Sequence, residues 1–204
     1  MHKRTGWRVL VPYAGVLAGL YWLQSAWAAL LLYHCGMAAF LLAERRKPLF
    51  GALKINAPGF FWPALASCLL SGPVLFLLWP QAKLPGAGMA DILVRFGLGG
   101  WPFLLFAVYY STAHPVLEEI FWRQDAGHEA PRYAEDLAFA GYHLLVLWLF
   151  LKPAFLVPAF VFLAAAGMAW RRMAAEHGDR LAAVITHAAG DVSTIAAAAL
   201  LANG

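Results

Sequence analysis

The chain reads as a succession of long apolar runs separated by short polar or turn-forming stretches. A membrane-crossing helix needs about 20 mostly apolar residues. About seven runs approach that length, near 9–23, 26–43, 59–79, 92–112, 134–151, 153–170 and 180–202. Turn chemistry separates several of them, at Lys47-Pro48, Trp79-Pro80, Pro85-Gly86, Lys152-Pro153 and His177-Gly178-Asp179. A shorter, more polar segment at about 115–126 follows the fourth run, and Ser111-Thr112 with Pro115 in the first turn predicts a helix start there. The pattern predicts an all-α fold, a polytopic transmembrane helical bundle with about seven to eight membrane helices. It forms one integral membrane domain over 1–204, with its motif-bearing core at about 92–202. No internal repeat or soluble extra domain is visible.

Composition agrees with a bilayer. The 204 residues are 62% hydrophobic and 13% charged, against about 45–50% and about 25% in soluble domains. A soluble globule of this size cannot hide so much apolar surface, which excludes a soluble enzyme, a disordered chain and a nucleic-acid reader. The net charge of +4 matters less than where the charges lie. With the N-terminus inside, twelve of the fifteen Lys and Arg fall on the inner side: Lys3, Arg4 and Arg8, then Arg45, Arg46, Lys47 and Lys54, then Arg123 and Arg132, then Arg171, Arg172 and Arg180. This predicts N-in, C-out in a cytoplasmic (inner) membrane of bacterial type. Trp7, Trp22, Trp27, Trp62, Trp79 and Trp170 fall near the proposed helix ends, as an interfacial belt requires. Lys3, Arg4 and Ala26-Trp27-Ala28 imitate a cleavable signal, but the next helix starts at once, so an uncleaved first helix is expected. Cys35 and Cys68 lie inside apolar runs and read as small apolar fillers.

Ionisable groups inside a span are costly and mark function. Glu118, Glu119 and Arg123 lie on the short segment, His143 in the fifth run, His187 and Asp191 in the seventh. His143 and His187 each lie about 10–14 Å below the inner interface at 1.5 Å per residue, which suggests one shared polar pocket. Glu119 and Arg123 are four apart, share a helix face and predict an ion pair. Glu118, turned away with Trp122 at its own i+4 position, is left as a free carboxylate able to serve as a general base for water. His187 and Asp191 are also four apart, and Phe139 lies one turn before His143, beneath its ring. Taken singly, each has a structural reading: a helix-bridging imidazole, a surface pair, polar glue. His34 has no sequence partner and reads as structural, and His114 and His128 read as nearer water. His128-Glu129 starts like HExxH, but Arg132 stands where the second His belongs.

Glu118-Glu119-Ile120-Phe121-Trp122-Arg123 fits EExxxR, Phe139 to His143 fits FxxxH, and His187 to Asp191 fits HxxxN/D. In this order the three resemble the motifs of the CPBP family of intramembrane proteases, which includes the type II CAAX prenyl endopeptidases, Abi proteins and bacteriocin-processing or immunity proteins. The resemblance implies a type II CAAX prenyl endopeptidase-like bundle that hydrolyses a hydrophobic or membrane-associated peptide or protein at a chamber open to the cytoplasm. It implies that Glu118 activates water with help from His143, that His187 and Asp191 stabilise the oxyanion, and that Glu119, Arg123 and Phe139 support them. On the glutamate-protease form of this reading no cofactor is required. The alternative is zinc held by Glu118, His143, His187 and Asp191. Gln124 stands where members commonly carry Gly, and Asp191 where the CAAX enzymes carry Asn. An ionised Asp191 would repel an oxyanion, so it is protonated, orients His187 or ligates a metal. These departures leave room for a non-proteolytic immunity or scaffold protein of the same fold.

Overall fold

Alternation between helix-forming runs and glycine or proline breaks produces eight α-helices among the residues that the computed structural model describes, 7–44, 58–123, 133–176 and 178–204. They are α1 (Leu10–Val16), α2 (Ala26–Ala43), α3 (Pro58–Ala82), α4 (Met89–Arg95), α5 (Trp101–Arg123), α6 (Tyr133–Leu147), α7 (Pro153–Glu176) and α8 (Arg180–Asn203). A π-helical turn, Leu17–Trp22, extends α1. Gln124, His128, Arg132 and the basic loop residues Arg45 to Lys54 lie outside the described residues.

The bundle is all-α, as expected, but seven to eight membrane helices are not present among the described residues. Four helical stretches are long and apolar enough to cross a membrane: Ala26–Ala43, Pro58–Ala82, Pro153–Ala174 and Arg180–Asn203. The first run yields only a seven-residue α1 and its π turn. The 92–112 run is cut in two, because Gly97 (φ 75°) and Gly100 (φ 68°) take left-handed backbone that ends α4 before α5 begins. The fifth run yields α6, of only 15 residues. α5 is long, but it carries Tyr109, Tyr110, His114, Glu118, Glu119 and Arg123 and is too polar to qualify.

A second correction concerns Pro115. No helix starts there, because α5 runs unbroken from Trp101 to Arg123 with Pro115 in its interior. The missing N–H of proline costs one backbone hydrogen bond, and Thr112 has turned its own hydroxyl inward, donating to the Val108 carbonyl at 2.6 Å. The polar residues therefore ride on one rigid helix.

Helix α8 is central, packed against α3, α5 and α7. Its approach to α3 is at backbone contact: a Cβ on Gly72 would fall 2.1 Å from the Ser193 carbonyl oxygen. The Gly72 N–H donates to Ser193 Oγ at 3.0 Å, and that hydroxyl donates to Leu69 O at 2.6 Å. At one end of the bundle a core of Trp79, Ala82, Met89, Leu151 and Leu156 closes the helices, with Lys152 N–H donating to Ala82 O and Leu84 N–H to Phe150 O, both at 2.8 Å. Toward the other end a larger core includes Phe121, Trp122, Phe139, Tyr142, Trp170 and Met173. A buried ion network ties this second end together. Arg8 meets Glu135 at 2.5 Å, and Arg171 meets Asp136 at 2.8 Å and Glu135 at 3.3 Å. Arg171 also donates to the Trp122 carbonyl at 3.2 Å.

Candidate metal centre

The i,i+4 geometry of two helices builds the site. On α5, His114 and Glu118 project from one face; on α8, His187 and Asp191 do the same. Packing α5 against α8 turns the two faces toward each other. His114 Nε2 then lies 3.5 Å from Glu118 Oε2, His187 Nε2 lies 3.4 Å from the same oxygen, and His187 Nε2 lies 3.9 Å from Asp191 Oδ1. All four side chains are buried.

Each histidine is gripped from behind. The His187 ring stacks on Trp170 (4.2 Å between centroids, 10° between planes), and the His114 ring stacks on Tyr110 (4.3 Å, 19°). His187 Nδ1 faces Glu119 Oε1 at 2.9 Å, and the Arg123 guanidinium pairs with that oxygen at 2.9 Å. The predicted Glu119–Arg123 pair is present, and it serves to hold His187. Arg123 is also packed over the Phe139 ring at 4.7 Å and the Trp170 ring at 5.1 Å. With Nδ1 taken by Glu119, His187 presents Nε2 to the interior of the site.

Glu118 is oriented with equal care. The Tyr33 and Tyr142 hydroxyls both donate to its Oε1, and Trp122 Nε1–H donates to the Tyr33 oxygen at 3.2 Å. Oε2 is left facing the two histidines without a hydrogen-bond partner.

His143 joins this arrangement from one step away. Its Nδ1 lies 2.8 Å from the Phe139 carbonyl and its Nε2 lies 3.0 Å from the Tyr142 hydroxyl. Phe139 lies against the ring, at 4.7 Å between centroids. Both ring nitrogens are occupied, and Tyr142 stands between His143 and Glu118. The structure instead brings in His114, which is 2% exposed and not at the water edge. Its spacing of four from Glu118 matches that of Glu119 from Arg123 and was the signal available in the sequence. His34 also has partners: His114 Nδ1 and the Tyr109 hydroxyl, each at 3.0 Å.

The donor set suits a metal ion. One ligand atom each from His114, His187 and Asp191 fall within 4.8 Å of one another. Ligands at about 2.0–2.2 Å around a tetrahedral ion sit about 3.3–3.6 Å apart, near the 3.9 Å between His187 Nε2 and Asp191 Oδ1. His114 Nε2, Glu118 Oε2 and Asp191 Oδ2 are buried and have no hydrogen-bond partner. Such atoms are rare and costly, and a cation satisfies several at once. The expectation that no cofactor is required is thereby overturned: a buried His/His/Asp group able to coordinate a metal is present, and the zinc alternative is the one compatible with it. Its donors differ from those expected, with His114 present and both Glu118 and His143 absent from the group.

No protein-family model matches this chain, and no curated protein or solved structure matches it.

Proposed function

We propose that the protein is a metal-dependent hydrolase of the membrane that cleaves a peptide bond in a hydrophobic or membrane-associated substrate, in the manner of the CPBP proteases its motifs resemble. The observation that carries this reading is the convergence of ligand atoms from His114, His187 and Asp191, those of His114 and Asp191 without hydrogen-bond partners, beside a carboxylate, Glu118, that has been oriented by two tyrosines. Two His and one carboxylate form a ligand set of the hydrolytic zinc type, in which a fourth position stays open to water.

His114, His187 and Asp191 would hold the zinc. When bound there it supplies an acidified water and a Lewis acid for the scissile carbonyl. Glu118 Oε2, free while Oε1 is held, would serve as the general base for the attacking water and return the proton to the leaving amine. Glu119 fixes the tautomer and direction of His187, and Arg123 balances the charge of Glu119. His143 steadies Tyr142, which in turn steadies Glu118. Arg8, Arg123, Arg171, Arg172 and Arg180 gather at the site's end of the helices, so that end faces the cytoplasm and the N-terminus lies inside.

The test pairs chemistry with metal. Purified wild-type protein in detergent should carry about one zinc per chain by elemental analysis. Comparative membrane proteomics of cells with wild type or Glu118→Gln should reveal peptides that accumulate intact only in the variant. Zinc-free wild type that still cleaves removes the metal from the mechanism. Unchanged peptides returns the chain to the non-proteolytic immunity or scaffold reading.

A further inference from the structure

Among the described residues, His34 is the one imidazole hydrogen-bonded to a member of the donor group without belonging to it. It sits on α2, a long apolar helix, and is buried. An imidazole in that setting is costly unless both nitrogens find partners. Both do, and the partners form a line: Tyr109 hydroxyl, 3.0 Å, His34 Nδ1; then His34 Nε2, 3.0 Å, His114 Nδ1. At the end of the line is His114 Nε2, buried, without a hydrogen bond, and facing Glu118 Oε2 at 3.5 Å.

Two neutral imidazoles joined nitrogen to nitrogen share one proton between the joined atoms, so their tautomers are locked to each other. In one state His114 Nδ1–H donates to His34 Nε2, and His34 Nδ1–H donates to the Tyr109 oxygen. His114 Nε2 is then a bare lone pair aimed into the site. In the other state His34 Nε2–H donates to His114 Nδ1, and the Tyr109 O–H donates to His34 Nδ1. His114 Nε2 then carries the hydrogen and cannot bind a cation. Tyr109 can serve both states because a hydroxyl donates or accepts. Only the first state is competent for metal.

We infer that His34 is a positioning residue for the metal site, which accepts the Nδ1 proton of His114 and so presents the His114 Nε2 lone pair to the ion, with Tyr109 completing the relay. The site thus holds its two histidines by unlike means: His187 by a carboxylate, Glu119, and His114 by a second imidazole. The inference rests on the metal reading above and assigns α2 a part in it. Neutral His34 accepts a hydrogen bond without adding charge, whereas a fourth carboxylate, placed against His114, would raise the repulsion at the centre.

The test reads metal affinity, not activity. Full-length protein in detergent is stripped of metal, and its zinc affinity is measured by competition with a chromophoric chelator. The visible spectrum of the cobalt-loaded form reports the ligand geometry. His34→Gln keeps an acceptor oxygen near the position of Nε2; His34→Phe keeps the bulk and removes the acceptor. Loss of an outer partner of a metal-bound histidine costs about 10–100-fold in affinity, so His34→Phe should bind zinc that much more weakly with an altered cobalt spectrum. His34→Gln should stay within about threefold of wild type. Equal affinity for His34→Phe and wild type would overturn the inference, and so would an equal loss in both variants, which marks a packing role. If His34→Phe gives no monodisperse protein, Tyr109→Phe decides. Weaker zinc binding with an intact fold supports the relay, and unchanged binding overturns it. Wild type that binds no zinc defeats the metal reading itself, an outcome distinct from all of these.

Discussion

Two buried polar clusters lie in the same end of this bundle, and their charges are balanced differently. In the network of Arg8, Arg171, Glu135 and Asp136, two guanidinium groups meet two carboxylates among the described residues. In the site, three carboxylates, Glu118, Glu119 and Asp191, share one guanidinium, that of Arg123, which pairs with Glu119. With both histidines neutral, two negative charges are left over, the amount a divalent cation neutralises. A buried charge without a partner costs several kcal/mol, so the second cluster is stable in one of two ways, by taking up protons or by taking up metal. The first cluster needs neither. Burial of charge therefore distinguishes nothing by itself; the imbalance does.

Four variants probe this contrast. Asp191→Asn should have the largest effect: it removes a ligand charge while keeping the shape. Stoichiometric zinc should disappear from purified protein, while the metal-free form unfolds at the same temperature as metal-free wild type or higher, because a buried like charge has gone. Tight zinc binding by this variant would break the contrast at its centre. Arg171→Leu should act in the opposite sense. It leaves Asp136 and part of Glu135 uncompensated and should cost about 3–5 kcal/mol in thermal or denaturant unfolding, with zinc stoichiometry of the folded fraction unchanged. Glu119→Gln should come next, weakening zinc by about 10–100-fold through His187, or about 1.4–2.7 kcal/mol. The smallest effect is expected for the pair Arg171→Met with Asp136→Leu, which removes both partners of one ion pair. Its stability should return to within about 1 kcal/mol of wild type, and a much larger loss would show that the network does more than balance charge.

How far these features could be read in the sequence depended on their range. The boundaries of α2 followed from an unbroken apolar run, and Ser25 caps its start, accepting from the Ala28 N–H at 3.1 Å. The Glu119–Arg123 and His187–Asp191 relations are set by helical spacing and were legible for that reason. The site's other histidine was legible by the same rule, since His114 stands four before Glu118. Pro115 hid it by suggesting that a helix starts where one continues. The number of crossing helices was overcounted because apolar character alone does not show where Gly97 and Gly100 bend the chain, nor how much of α5 is polar. The contacts of His34, Tyr33 and Tyr142 join α2, α5 and α6 across 24 to 89 residues of chain, and no local pattern encodes them.

The Arg8–Glu135 contact has a consequence for how the protein is made. The two residues are 127 apart in sequence, and they join the first described helical turn to α6. During synthesis Arg8 emerges long before Glu135, so this contact between the earliest helices and α6 forms only once α6 has arrived. Closing so long a loop is slow in entropic terms. Assembly of the end that carries the site is therefore a late event in the life of the nascent chain, and the metal centre comes together only after Glu135, Arg171 and α8 have been delivered to the bilayer.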